Sequence, residues 1–204
     1  MFEGLRRVLL DTLQPVVKDL AHTHMPYTHK LVNGLDYFAV QPLVKPGMIW
    51  LTRMEGEATN LFIPGFWTHA AIAVDDKAVI QAISSGVVAT DLISFLLTKD
   101  YVGLFDPTFA DAGGHTLAAA WAAKQIGAPY DYEFGMNVKA FYCSELVWAA
   151  YREAMGPDNA PFKLRKTMGV DTVIPDDIGQ AKDKFKSVWA SASCGAVTPE
   201  RQSA

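Results

Sequence analysis

A chain of 204 residues, half of them hydrophobic and a fifth charged, is long enough for a full apolar core and too apolar to remain disordered. Its 18 Lys and Arg against 22 Asp and Glu leave a formal net charge of -4, which excludes the basic footprint of a nucleic-acid binder. Two cysteines, Cys143 and Cys194, are too few for a disulfide framework.

In chain order, Phe2, Leu5, Leu9, Leu13, Val16 and Leu20 fall on one helical face, and Pro15 predicts a kink in that helix. The opposite face is not strongly basic, so the helix is expected to pack on protein and not to lie on a membrane surface. Asp11 interrupts the apolar run before a signal-peptide core forms, and no stretch reaches the length of a membrane span; a cytoplasmic protein is expected. His22, His24 and His29 follow without carboxylate or cysteine company at fixed spacing, which predicts a solvated linker and no metal site.

Pro46-Gly47 marks a turn, Met48 to Thr52 reads as a buried strand, and Glu55 to Asn60 as a polar loop. Leu61 to Trp67 is apolar and aromatic but broken by Pro64-Gly65, so Phe66 and Trp67 are candidates for an apolar substrate wall. Thr68 to Val74 and Ala78 to Ile83 then read as two strands joined by the turn Asp75-Asp76-Lys77. If residue 73 pairs with 77, His69 lies opposite Gln81, and a slip of two residues leaves both on one face.

Ser84-Ser85-Gly86 turns the chain into a short strand at Val87 to Ala89, and Asp91 is placed to cap a helix over Leu92 to Leu97. Tyr101 to Phe105 is a further strand, expected to end at Asp106-Pro107. His115 to Ile126 reads as a helix stopped by Gly127, with His115 a surface or capping residue near its start. Pro129-Tyr130-Asp131 opens a loop leading to Cys143. From there Leu146, Val147, Ala150 and Ala154 recur at helical steps, which puts the sulfur in the first turn, where free backbone N–H groups and the helix dipole favour a thiolate. Gly156-Pro157 breaks that helix, and Ile174 to Ile178 enters a last short one.

A cysteine nucleophile needs a base to take its proton, held in one tautomer by a third polar group. Cys143, His69 and Gln81 supply those three types. The runs Pro64-Gly65-Phe66-Trp67-Thr68-His69-Ala70-Ala71-Ile72, Val79-Ile80-Gln81-Ala82, Gly127-Ala128-Pro129-Tyr130-Asp131, Tyr142-Cys143-Ser144-Glu145-Leu146-Val147 and Ile174-Pro175-Asp176-Asp177 together resemble the YiiX/YaeF-type family of permuted papain-like amidases, within the wider NlpC/P60 superfamily. The resemblance covers about residues 45 to 180 and rests on the order of several motifs.

It implies an α+β fold of circularly permuted papain-like (NlpC/P60) type, with an antiparallel sheet packed against helices and the nucleophile at a helix N-terminus. Residues 1–44 would be an N-terminal helical extension, 45–190 the catalytic domain and 191–204 a flexible tail. Cys143 would be the nucleophile, His69 the base and Gln81 the third group, at a position where many members carry Glu. The thiolate would attack an amide or ester carbonyl, with the oxyanion held partly by the Cys143 N–H and with Tyr142 and Tyr130 as candidates for the second donor. The substrate is expected to be a small-molecule, lipid-like or peptide amide or ester, without metal or other cofactor. A thiol-dependent acyltransferase and a non-catalytic binding module that retains the fold are the alternatives.

Overall fold

The computed structural model describes residues 31–57, 60, 63–136, 139–156, 162–167 and 170–196. The amphipathic segment 2–20 and the histidines His22, His24 and His29 lie outside the described residues, as do Leu61 and Phe62.

The chain enters through a short helix, α1 (Gly34–Val40), capped by Asn33, whose side chain accepts from the Leu35 N–H. The strands β1 (Ile49–Arg53), β2 (His69–Ala73), β3 (Ala78–Ile83) and β4 (Gly86–Asp91) follow, then α2 (Leu92–Leu97), β5 (Tyr101–Pro107), α3 (Ala112–Lys124) and α4 (Cys143–Met155). A small ladder, β6 (Arg165–Thr167) with β7 (Val170–Thr172), precedes α5 (Pro175–Gln180) and β8 (Phe185–Ala190). One antiparallel six-stranded sheet in the order β4-β3-β2-β1-β5-β8 carries the fold.

Both faces of this sheet are covered, and the alternation of strand side chains divides the core accordingly. Ile49, Leu51, Ala70, Ile72, Ile80 and Ala82 pack with Leu146, Val147 and Ala150 of α4 and with Ala118 and Ala122 of α3. Their neighbours Trp50, Ala71, Ala73 and Val79 pack on the other side with Leu92, Phe95 and Leu96 of α2. Strands buried on both faces explain why β1 and β2 read as continuous apolar runs in the sequence.

Several boundaries differ from the sequence expectation, each for a local reason. The α3 helix begins at Ala112, three residues before His115, because Asp111 caps it, its Oδ1 accepting the Gly114 N–H at 2.7 Å. Strand β5 runs on through Asp106 and Pro107, which pair with Lys186 and Phe185 of β8. The hairpin register is Ile72 with Ile80 and Ala73 with Val79, two residues from the expected pairing. That slip leaves every side chain on its expected face. The expected tail after residue 190 is partly structured: Ser191 is buried and its hydroxyl accepts the Val102 N–H at 3.1 Å, while Ser193 donates to the Asp100 carbonyl at 2.6 Å.

Candidate active site

Cys143 is the first residue of α4. The chain begins its helix here because Tyr142 is extended and its N–H is taken by the Glu145 carboxylate at 3.3 Å, the side-chain half of a capping box. The start of the helix is also clamped from the side. Ser144 donates to the Val173 carbonyl at 2.8 Å, and the Tyr142 hydroxyl accepts the Val173 N–H at 3.0 Å and shares a hydrogen bond with Thr172 at 2.9 Å. Tyr142 is 3% exposed. Its hydroxyl thus holds the Thr172-Val173 segment, which counts against Tyr142 as an oxyanion donor.

The Cys143 thiol is free and buried. Backbone N–H groups of Ala70, Ser144 and Cys143 itself favour its ionised form, yet burial outweighs them and pushes the thiol above its ordinary range. This corrects the expectation of a depressed thiol. A helix N-terminus favours a thiolate, but the cost of desolvating the charge on this enclosed sulfur is larger.

His69 opens β2, half-buried, and lies beside Gln81 of β3. Its Nε2 stands 2.8 Å from Gln81 Oε1, and Gln81 Nε2 donates to the Thr90 hydroxyl of β4 at 2.8 Å. With the amide nitrogen directed at Thr90, the amide oxygen faces the imidazole, so His69 donates from Nε2 and keeps Nδ1 as its lone-pair nitrogen. Burial, then the positive charge of Lys99, lower the imidazole pKa to about 3, against the opposing pull of the Gln81 bond. Lys99 is itself buried, with Nζ 3.3 Å from Met54 Sδ and above the Phe95 ring. Burial thus favours the neutral form of both the thiol and the imidazole.

No direct hydrogen bond joins Cys143 to His69 among the described residues. The link the structure offers between them is Ala70, the residue after His69, whose backbone N–H favours the Cys143 thiolate and which packs in one cluster with Leu146 and Val147 of α4. The β2–β3 pairs lie further along the hairpin, at Ile72 and Ala73.

The loop before His69 is pinned by a residue to which the sequence reading assigned no role. Asp176, at the start of α5 and 5% exposed, accepts the N–H groups of Phe66 and Trp67 at 3.0 and 3.1 Å on one oxygen and the Gln180 side chain on the other. Gly65 at φ +97° lets the loop approach, since a Cβ there would collide with the Asp176 carboxyl. The signal was present as Asp176 in the Ile174-Pro175-Asp176-Asp177 run, but its partner lies 110 residues away.

Phe66 and Trp67 are turned inward, which counts against both as an open substrate wall. Phe66 is buried against Trp67, Tyr101 and the Arg53 guanidinium. Trp67 lies against Gly179, where a Cβ would strike its ring, and close to Gly103, where a Cβ would crowd it, and packs edge-on to Phe105.

Tyr130 is placed differently. A parallel bridge pairs it with Phe141, reinforced by Phe141 N–H to Pro129 O at 3.1 Å and Asp131 N–H to Phe141 O at 3.2 Å. This fixes Tyr130 two residues from Cys143 in register, half-buried, and its hydroxyl takes no hydrogen-bond partner among the described residues. Burial and then the neighbouring Cys143 push its pKa well above the ordinary phenol value, so it remains a donor. His115, by contrast, is a packing residue: Nδ1 lies 3.1 Å from the Tyr151 hydroxyl and Nε2 3.1 Å from the Ala110 carbonyl.

A family model described as permuted papain-like amidase enzyme, YaeF/YiiX, C92 family, matches residues 43–196. The chain belongs to this family. A permuted papain-like amidase is a cysteine hydrolase in the broad sense, and the sheet, the helix bearing Cys143 and the histidine strand preceding it agree with that architecture. Among solved structures, the metalloprotein YiiX from Escherichia coli O157:H7 shares the fold with a TM-score of 0.61 at 18% identity, over 72% of this chain and 97% of that one. No curated protein matches the chain. The described residues contain no group of three or more His, Cys, Asp or Glu side chains able to hold a metal ion, and no helix long and apolar enough to cross a membrane.

Proposed function

We propose that the protein hydrolyses an amide or ester bond through Cys143 as nucleophile, His69 as general base and Gln81 as the group that orients the base. The observation that carries this is the 2.8 Å bond from His69 Nε2 to Gln81 Oε1, on the strand whose next residue, Ala70, favours the Cys143 thiolate through its backbone N–H. That bond leaves Nδ1 as the nitrogen able to receive the thiol proton. Catalytic hydrogen bonds absent from a free enzyme often close in the substrate complex.

In the first half-reaction the thiol proton passes to His69 Nδ1 as sulfur bonds to the substrate carbonyl carbon, and the carbonyl oxygen becomes an oxyanion. The Cys143 N–H and the free Tyr130 hydroxyl supply its two donors. The tetrahedral intermediate collapses, the C–N or C–O bond breaks, and the leaving amine or alcohol takes the proton from His69. Water then attacks the thioester, giving one proton to His69 and its hydroxyl to the acyl carbon, and the proton returns to sulfur as the carboxylic acid departs. Starting from neutral thiol and neutral imidazole, each turnover returns the same protonation state.

The substrate class is a small molecule or peptide with an amide or ester carbonyl. An acylated, lipid-like substrate has lost part of its support with Phe66 and Trp67 packed inward. Turnover of short- and long-chain p-nitrophenyl esters and the matching anilides, by wild type and Cys143→Ala, tests the proposal. Wild type is expected to turn over at least one series, with Cys143→Ala reduced to background; equal rates in the two proteins would sink it. A rise with chain length supports the lipid-like acyl group, and a flat profile removes it.

A further inference from the structure

Gln81 is an unusual third member in one physical respect: a carboxamide has a donor end and an acceptor end, where a carboxylate has only acceptors. It serves a histidine base only with its oxygen held on the imidazole. When His69 takes the thiol proton it carries N–H on both nitrogens, and an amide N–H turned toward it would oppose the charge. The far end of the amide therefore decides how well Gln81 works.

That end is occupied. Gln81 is 6% exposed, and its Nε2 donates to Thr90 Oγ1 at 2.8 Å. Thr90 lies on β4, the outermost strand of the sheet, opposite Val79 and half-buried. The donors then run in one direction, His69 Nε2–H to Gln81 Oε1 and Gln81 Nε2–H to Thr90 Oγ1, toward the edge strand. In such a chain each bond polarises the next, so positive charge gained by the imidazole strengthens both.

We propose that Thr90 is a positioning residue for the catalytic histidine, acting through Gln81: it anchors the amide nitrogen, keeps the amide oxygen in line with His69 Nε2, and completes an outward-running donor chain that a neutral third residue requires. This rests on the functional reading above for its catalytic part; the hold on Gln81 itself is independent of it.

The test uses the full chain with 15N-labelled histidine and three variants at Thr90 and Gln81: Thr90→Val, Thr90→Ser and Gln81→Glu. Valine is nearly isosteric and favoured in strands, so the fold is retained. In wild type the His69 Nε2–H resonance is expected downfield and slow to exchange. Thr90→Val is expected to move it upfield, to speed its exchange, and to lower kcat on an activated ester about tenfold with KM unchanged, a modest share of what general-base catalysis contributes. Thr90→Ser restores both. In a Gln81→Glu background, where no amide needs orienting, Thr90→Val is expected to cost less than about twofold. A Thr90→Val protein with the wild-type resonance and rate overturns the proposal, as does a rate loss without a change in the resonance, or a resonance change without a rate loss. A resonance that moves as expected while Cys143→Ala turns over as fast as wild type fails the functional reading and leaves only the structural hold of Thr90 on Gln81.

Discussion

His69 Nε2 and Gln81 Oε1 stand 2.8 Å apart across the β2–β3 hairpin, twelve residues apart in the chain. The bond settles which imidazole nitrogen is engaged and which is free, and a neutral amide does so without lending charge. Replacing Gln81 by Glu is expected to raise the His69 pKa from about 3, since a carboxylate stabilises the imidazolium. It is also expected to preserve or increase turnover. Gln81→Ala leaves Nε2 without its acceptor, with an expected loss of between about 10- and 100-fold in kcat. NMR titration of His69 with parallel ester assays reads both effects; an alanine variant as fast as wild type would remove Gln81 from the mechanism.

The two shifted groups make stability depend on pH in opposite directions. His69 titrates near 3 in the fold against 6.5 ordinarily, so below about 6.5 the unfolded chain binds a proton that the folded chain refuses. Stability is therefore lost as pH falls from 6.5 toward 3. Burial raises Cys143, so the unfolded thiol ionises first and stability falls as pH rises beyond the ordinary thiol range. Melting temperatures from pH 4 to 10 are expected to be flattened on the acid side by His69→Gln and on the alkaline side by Cys143→Ala. Unchanged slopes in both variants would contradict the shifts of both groups.

Asp176 holds two backbone N–H groups of the loop that delivers His69. Asp176→Ala strands them in a largely buried position, and each stranded donor costs about 1–3 kcal/mol. The expected result is a loss of about 2–6 kcal/mol in denaturant unfolding, together with a lower kcat because the loop leads directly into β2. Gly65→Ala is expected to damage the same contact from the other side, since both its φ and its space exclude a side chain.

The tyrosines separate by role. Tyr142→Phe leaves the Val173 N–H without its acceptor and is expected to cost about 1–3 kcal/mol of stability. Tyr130→Phe removes a hydroxyl with no partner among the described residues, so stability is expected to hold while kcat falls by about 10- to 100-fold, the scale of losing one oxyanion donor. A Tyr130→Phe enzyme with full kcat would leave the second donor to another group.

Local pattern made much of this readable in advance. Apolar runs on either side of the turn Asp75-Asp76-Lys77 located β2 and β3, and because a strand's side chains alternate, an error of two residues in register still put His69 beside Gln81. The spacing after Cys143 likewise located α4 and put Cys143 in its first turn. What escaped depends on contacts between distant parts of the chain. The thiol was expected low because a helix end is a local feature, whereas its burial is made by the sheet and cannot be read along the chain. Phe66 and Trp67 looked like a wall because nothing in the sequence says that Gly103 and Gly179 clear a slot for the indole. Asp176 and Tyr142 were visible as residues, but their partners come from elsewhere in the fold.

The central claim is that Cys143 forms the acyl-enzyme with His69 as its base. Intact-protein mass spectrometry after mixing with p-nitrophenyl acetate tests it most directly. Wild type is expected to gain one acetyl group, mapped to Cys143 by peptide digestion, that clears as ester is consumed. Cys143→Ala is expected to gain none, and His69→Ala to acylate at least about 100-fold more slowly. Stable acetylation elsewhere, at Cys194 or a lysine, with Cys143 unmodified, or an equal acylation rate in His69→Ala, would contradict the account.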